Sequence, residues 1–203
     1  TCGALTQVAC SDPAGATMPS MTLTPPTVPQ GTQLWVRIWN KTTVFGSFSI
    51  CAKPTSPPPN DDPCGAIALT PQYGCMYTGF TLENATQTPL APAGTVNVPT
   101  APLCGGTPFN DVWFTAVVPP NGQLTLDTDD GLLTDAAMEV YRRASGNCAT
   151  NNLNLVQIGA GGCTAGGSAN NASMPLLNLL TGLVPGETLY IRVWRQTGLP
   201  STF

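Results

Sequence analysis

The densest group of side chains able to do chemistry is Asp127-Thr128-Asp129-Asp130-Gly131, with Asp135 close behind. Hard carboxylate oxygens at this spacing are the donors calcium prefers. Asp127, Asp129, Asp130 and Asp135 therefore form the candidate metal site, and calcium is the one cofactor in view. An EF-hand loop is not formed, because its glycine stands elsewhere and no glutamate closes it. The alternative is an Asp/Gly turn between two strands. A nucleophile–base pair cannot be assembled. The chain has no histidine, so a Ser or Thr nucleophile would need a lysine, and Lys41 and Lys53 fall in loop-like sequence. Asp111 and Glu139 could be imagined as a glycoside-cleaving pair, yet nothing singles them out. No catalytic residue is expected, and the chain reads as a non-enzyme.

A second constellation is a row of aromatics around an arginine, and it occurs twice. Residues 31–39 read GTQLWVRIW and residues 186–194 read GETLYIRVW. The offset is constant: 192 − 37, 194 − 39 and 203 − 48 all equal 155, relating Arg37 to Arg192, Trp39 to Trp194 and Phe48 to Phe203. Upstream, at an offset of 150, Leu5-Thr6-Gln7-Val8 matches Leu155-Val156-Gln157-Ile158, each followed by a cysteine, Cys10 or Cys163. A period this long is that of a whole domain rather than a solenoid turn. Strand alternation puts Trp35, Arg37 and Trp39 on one face and Leu34, Val36 and Ile38 on the other. Trp35, Arg37, Trp39, Tyr190, Arg192 and Trp194 could stack a glycan and hydrogen-bond it. Packing of this face by protein is the competing reading, with each arginine lying on an aromatic neighbour.

The chain has eight cysteines, and no C-x-x-C spacing suggests zinc. Disulfides and an oxidising, extracellular compartment follow. The nearest neighbours suggest the same hairpin clip in both repeats, Cys2–Cys10 and Cys148–Cys163. Cys75–Cys104 follows by elimination. Cys51 and Cys64 are then left to cross-link successive repeats or subunits, with a Cys51–Cys64 bridge as the alternative.

The elements that must carry these groups are strands. Twenty-one glycines and 21 prolines leave almost no run of helix formers at a 3.6-residue period. Strands are expected over 33–39, 111–118, 122–127, 137–142 and 189–194, with loops and edge strands over 76–108. Pro119-Pro120-Asn121-Gly122 is a turn signal. Short strands between Gly/Pro turns argue for an all-β sandwich. The proline-rich stretch 53–63 reads as a stiff linker. It would separate the back part of one domain, residues 1–52, from residues 64–203, a second domain lacking its last strand. Such phasing suits a piece of a tandem array, or a subunit completed by a strand of its neighbour. Charged residues are only 9%, and seven Lys and Arg against 11 Asp and Glu leave no basic patch for nucleic acid. No apolar run is long enough for a transmembrane helix. Asn40-Lys41-Thr42, Asn84-Ala85-Thr86 and Asn171-Ala172-Ser173 match the glycosylation pattern and read as surface loops.

The succession Cys64-Gly65-Ala66-Ile67, Asn110-Asp111-Val112-Trp113-Phe114, Pro119-Pro120-Asn121-Gly122, Asp135 to Tyr141, and Gly182 to Val193 resembles the tandem β-sandwich modules of large secreted bacterial surface proteins. These modules look like relatives of the bacterial pre-peptidase C-terminal domain. The resemblance implies a jelly-roll-like antiparallel sandwich serving as spacer, adhesive or accessory module, without catalytic residues. It departs at Thr164-Ala165-Gly166-Gly167-Ser168, where relatives commonly carry an acidic loop. The expected protein is a structural segment of an extracellular fibre, stalk or adhesin, whose partners are neighbouring copies of the same repeat. The alternative is a glycan-binding accessory module of a secreted hydrolase.

Overall fold

In a computed structural model, the described residues are 6–13, 18–23, 28, 32–40, 46–52, 56–74, 76–88, 101–150, 152–198 and 201–203. The chain divides into two units, Thr1–Thr55 and Ser56–Phe203.

The described residues of the second unit form eight strands: β1 (Ile67–Leu69), β2 (Asp111–Val117), β3 (Leu124–Asp127), β4 (Ala136–Ser145), β5 (Asn154–Gln157), β6 (Cys163–Thr164), β7 (Leu176–Leu179) and β8 (Thr188–Arg195). Among the described residues the helical pieces are three-residue 3-10 turns, so the fold is all-β. One sheet runs β1-β2-β8-β4-β5, with β6 paired to β4, and β3 pairs with β7 in a second sheet. β1 is parallel to β2, and the remaining pairings are antiparallel. β2 stops at Pro119-Pro120-Asn121-Gly122, where the Gly122 amide bonds the Pro119 carbonyl and Gly122 takes a φ of 70° that a β-carbon would oppose.

Period-2 alternation sorts the side chains. Val112, Phe114 and Ala116 of β2, Leu189, Ile191 and Val193 of β8, and Ala136, Met138 and Val140 of β4 share one core. Leu124 and Leu126 of β3 and Leu177 and Leu179 of β7 meet them from the other sheet. Phe203 joins this core, its ring 6.4 Å from that of Phe80 and 6.4 Å from that of Phe114. Each buried side chain of this size contributes about 1.5–3 kcal/mol by leaving water.

The expected strands over 111–118, 122–127, 137–142 and 189–194 are present within a few residues. β1, β5, β6 and β7 were not anticipated, being short and without clear alternation. The proline-rich stretch is not a free spacer from Ser56 onward. Asn60, Asp61 and Pro63 are buried, and Asn60 brackets Trp113, accepting its amide at 2.8 Å and donating to its carbonyl at 3.1 Å. Two backbone-directed bonds from one loop residue explain why the prolines fold back on the sheet instead of standing away from it.

The first unit differs from expectation. No strand forms over 33–39, and none elsewhere among the described residues of 1–55. Trp35, Val36 and Trp39 are exposed. A strand needs partners on its edges and a layer against its apolar face to be stable, and the described residues of this unit supply neither.

Candidate functional site

The face of the large sheet turned away from the core carries Asp111, Trp113 and Thr115 on β2, Tyr190, Arg192 and Trp194 on β8, and Ala137, Glu139 and Tyr141 on β4. Register lines these up in rows. Arg192 stands opposite Trp113 on one side and Glu139 on the other, and Trp194 stands opposite Asp111 and Ala137. Such a face would ordinarily meet water, but here Trp113, Arg192, Trp194, Asp111 and Tyr141 are 0% exposed and Glu139 is 1% exposed.

Asp111 is the hub. Its Oδ2 accepts from Arg192 Nε at 2.7 Å, Thr88 Oγ1 at 2.5 Å and Trp113 Nε1 at 3.1 Å, while Oδ1 accepts from the Thr88 amide at 2.7 Å. The Arg192 guanidinium lies over the Trp113 ring, 5.3 Å from its centroid, a cation–π placement strengthened by desolvation. Its Nη1 and Nη2 are buried without a hydrogen-bond partner among the described residues. Beside it, Glu139 accepts from the Leu103 amide at 3.1 Å and from the Tyr141 hydroxyl at 2.5 Å. Burial pushes the Glu139 carboxyl above the usual carboxylate range, opposed by those hydrogen bonds and by the Arg192 charge. Burial and the neighbouring Glu139 also raise the Tyr141 phenol, so it serves as a permanent donor.

Two disulfides, Cys64–Cys148 and Cys104–Cys163, pin the segments that cover this face, Pro63–Gly65, Cys148–Thr150 and the loop at 103–105, which together form a lid. Cys148 packs on Trp113, Tyr141, Leu153 and Leu155. Next to Cys104, the Gly105 carbonyl accepts from Trp194 Nε1 at 3.1 Å. A β-carbon on Gly105 would stand 2.3 Å from that of Ala137, and its φ is 70°, so only glycine fits. Further out, Gln157 Nε2 donates to the Ala101 carbonyl at 2.7 Å.

The pairing corrects the sequence reading. Cys148–Cys163 is not the clip, because Cys163 opposes Glu139 on β4 while Cys148 follows the end of that strand. At about 3.3 Å per residue, Glu139 and Ser145 are already about 20 Å apart along β4, far beyond disulfide reach. Cys104 bonds Cys163 rather than Cys75, which lies outside the described residues. Cys64 is not an inter-repeat cysteine, since it bonds Cys148 across the lid. Cys2 also lies outside the described residues, and Cys10 and Cys51 are exposed free thiols.

The acidic cluster does not converge either. Asp127 Oδ2 accepts from Tyr77, Asp129 Oδ1 from the Asp130 amide, Asp130 Oδ2 from Asn171 and Asp135 Oδ2 from Thr197. Four carboxylates bound to four separate neighbours leave no common centre. Among the described residues no three metal-binding side chains gather at one point. The turn reading fits: Asp127 ends β3, and the rest lie before β4.

Of the aromatic/arginine row, Arg192 and Trp194 are interior and Tyr190 is half-buried, while Trp35, Arg37 and Trp39 are exposed. Sequence reasoning missed that Asp111 neutralises Arg192 and that Thr88 and Asp61 lace the edge. Asp61 accepts the Thr86 amide at 2.6 Å and its hydroxyl at 2.7 Å. The available signal was an aspartate opening an otherwise apolar strand. Asp111 and Glu139, the imagined carboxylate pair, are both sealed from any substrate. Outside this face, a cavity of about 460 Å³ is lined by Pro58, Pro59, Ile67, Phe80 and Thr202 among others, and among the described residues no ionisable side chain lines it.

No protein-family model, curated protein or solved structure matches this chain.

Proposed function

We propose that the chain is a structural segment of an extracellular surface fibre, stalk or adhesin, made of β-sandwich repeats and without catalysis. The observation that carries this reading is the use made of the arginine/aromatic row in Ser56–Phe203. Side chains suited to holding a ligand are consumed in the interior, paired to Asp111 and covered by a lid with two disulfides. This is chemistry spent on durability. Long disulfide-closed loops resist unfolding, disulfides persist in oxidising surroundings, and a low charge content suits close packing of neighbours. The repeat at an offset of 155 supplies the tandem character.

The test is made on native material. Antibodies to Ser56–Phe203 should decorate extended surface structures along their length, and non-reducing mass spectrometry should give a species well above 21 kDa carrying these peptides more than once. Label confined to a soluble secreted hydrolase, with binding on a glycan array, would overturn the proposal in favour of an accessory module.

A further inference from the structure

Resting on that reading, and deepening it, we infer that residues 32–40 and 46–52 are an interaction surface for half a repeat, one that has the chemistry of Cys64–Ser145. The surface is defined by its buried twin. At the offset of 155, Leu34, Val36 and Ile38 correspond to Leu189, Ile191 and Val193, all in the core, and Trp39 corresponds to Trp194. Trp194 is 0% exposed and Trp39 is 57% exposed; Val193 is 2% and Ile38 43%. Nearly the same residues in the same order are dry in one unit and wet in the other. The twin also specifies what must cover them. Arg192 meets Asp111 through a 2.7 Å ion pair and stacks on Trp113, so Arg37 calls for an aspartate and a tryptophan two residues apart on the neighbouring strand. Trp194 stands opposite Asp111, so Trp39 should stand opposite that aspartate. Cys10, matching Cys163 in the repeat, calls for a cysteine placed as Cys104 is. Phe48, matching Phe203, calls for a pair of rings like Phe80 and Phe114.

A second copy of this chain does not meet the demand. Its Asp111 is already occupied by Arg192, Thr88 and Trp113, its Cys104 is bonded to Cys163, and its β2 is flanked by β1 and β8. The occupant is therefore a separate half-repeat whose acid, tryptophan and cysteine are unpaired. A negative edge strand meeting Arg37 gives charge complementarity as well as shape.

The experiment compares the full chain with the same chain preceded by an added copy of its own residues 56–147. In the extended chain, peptide mapping should find Cys10 bonded to the added Cys104. Acrylamide quenching of Trp35 and Trp39, read as the difference from a Trp35→Phe/Trp39→Phe control of the same chain, should fall several-fold. Arg37→Glu should reverse that protection while leaving the melting of Ser56–Phe203 unchanged. In the chain without the extension, Arg37→Glu should change nothing. Asp111→Asn placed only in the added copy is the second variant and should also restore quenching. The inference is overturned if Cys10 remains alkylatable and both tryptophans stay quenchable with the extension present. It is equally overturned if the unextended chain dimerises with Cys10 bonded to another copy. These outcomes are independent of the mass and labelling of the native material, so this inference can fail while the fibre reading stands, and the reverse.

Discussion

Replacing Asp111 by alanine should be among the most damaging single changes in Ser56–Phe203. Removing one partner of a buried ion pair costs about 3–5 kcal/mol, because the other charge stays buried. Arg192 is an extreme case: among the described residues Nη1 and Nη2 have no hydrogen-bond partner within standard geometry, and Asp111 takes the remaining donor, Nε. The substitution also orphans the buried Thr88 amide, worth about 1–3 kcal/mol. Trp113 Nε1 keeps Thr88 Oγ1 at 2.7 Å, so it adds little. The groups touch one another and do not sum; the expected loss is about 4–6 kcal/mol, much of a typical domain's stability. Urea unfolding with disulfides intact, followed by tryptophan fluorescence, should show a midpoint lower by about 2 M or more, at a slope of about 1–3 kcal/mol per molar. The double variant Asp111→Val/Arg192→Met should lose less than Asp111→Ala alone, since it removes both charges together. A loss under about 1 kcal/mol for Asp111→Ala, or a double variant worse than the sum of its singles, would refute the reasoning.

The Glu139 carboxyl is held above its ordinary range, so the folded chain keeps a proton that the unfolded chain releases. Stability should therefore decline as pH rises from the ordinary carboxylate value to the raised one. Glu139→Gln should flatten that decline in urea unfolding measured between pH 4 and 8, and an unchanged slope would count against it. Cys64→Ser/Cys148→Ser opens a crosslink spanning 84 residues and Cys104→Ser/Cys163→Ser one spanning 59. Each should cost about 4–5 kcal/mol on the chain-entropy scale, read as a drop in denaturation midpoint. Gly105→Ala should lower stability by about 2 kcal/mol or more, from the clash with Ala137 and the left-handed backbone; thermal melting checks it. Millimolar calcium should leave the melting temperature unmoved, since Asp127, Asp129, Asp130 and Asp135 face different neighbours; a clear rise would restore the metal site.

Strands β2, β4 and β8 were legible because each has a long apolar side alternating with a distinct second side, and a strand's period survives without knowledge of its partners. β5 and β7, four residues each, carry too few alternations to register. The first unit failed the other way. Residues 33–39 have the same pattern as β8, yet pattern supplies only propensity, and hydrogen bonds and burial must come from neighbouring strands. The candidate site divides along the same line. That Arg192 shares a face with Tyr190 and Trp194 follows from alternation alone. That the face is sealed depends on residues 53 to 131 positions before Arg192: Glu139, Asp111, Cys104, Thr88 and Asp61.

Sequence by itself determined the strand-forming character of residues 111–194, the duplicated arginine/aromatic segment and the capacity for disulfides that eight cysteines carry. These are local or compositional properties, carried by residue type and spacing. Tertiary structure alone decided which cysteines meet, which carboxylates converge and whether an arginine is a ligand-binding group or an interior ion. Each of those is a question of distance between segments far apart in the chain. Register between strands set the answers, placing Cys163 opposite Glu139, Trp194 opposite Asp111 and Arg192 between Trp113 and Glu139.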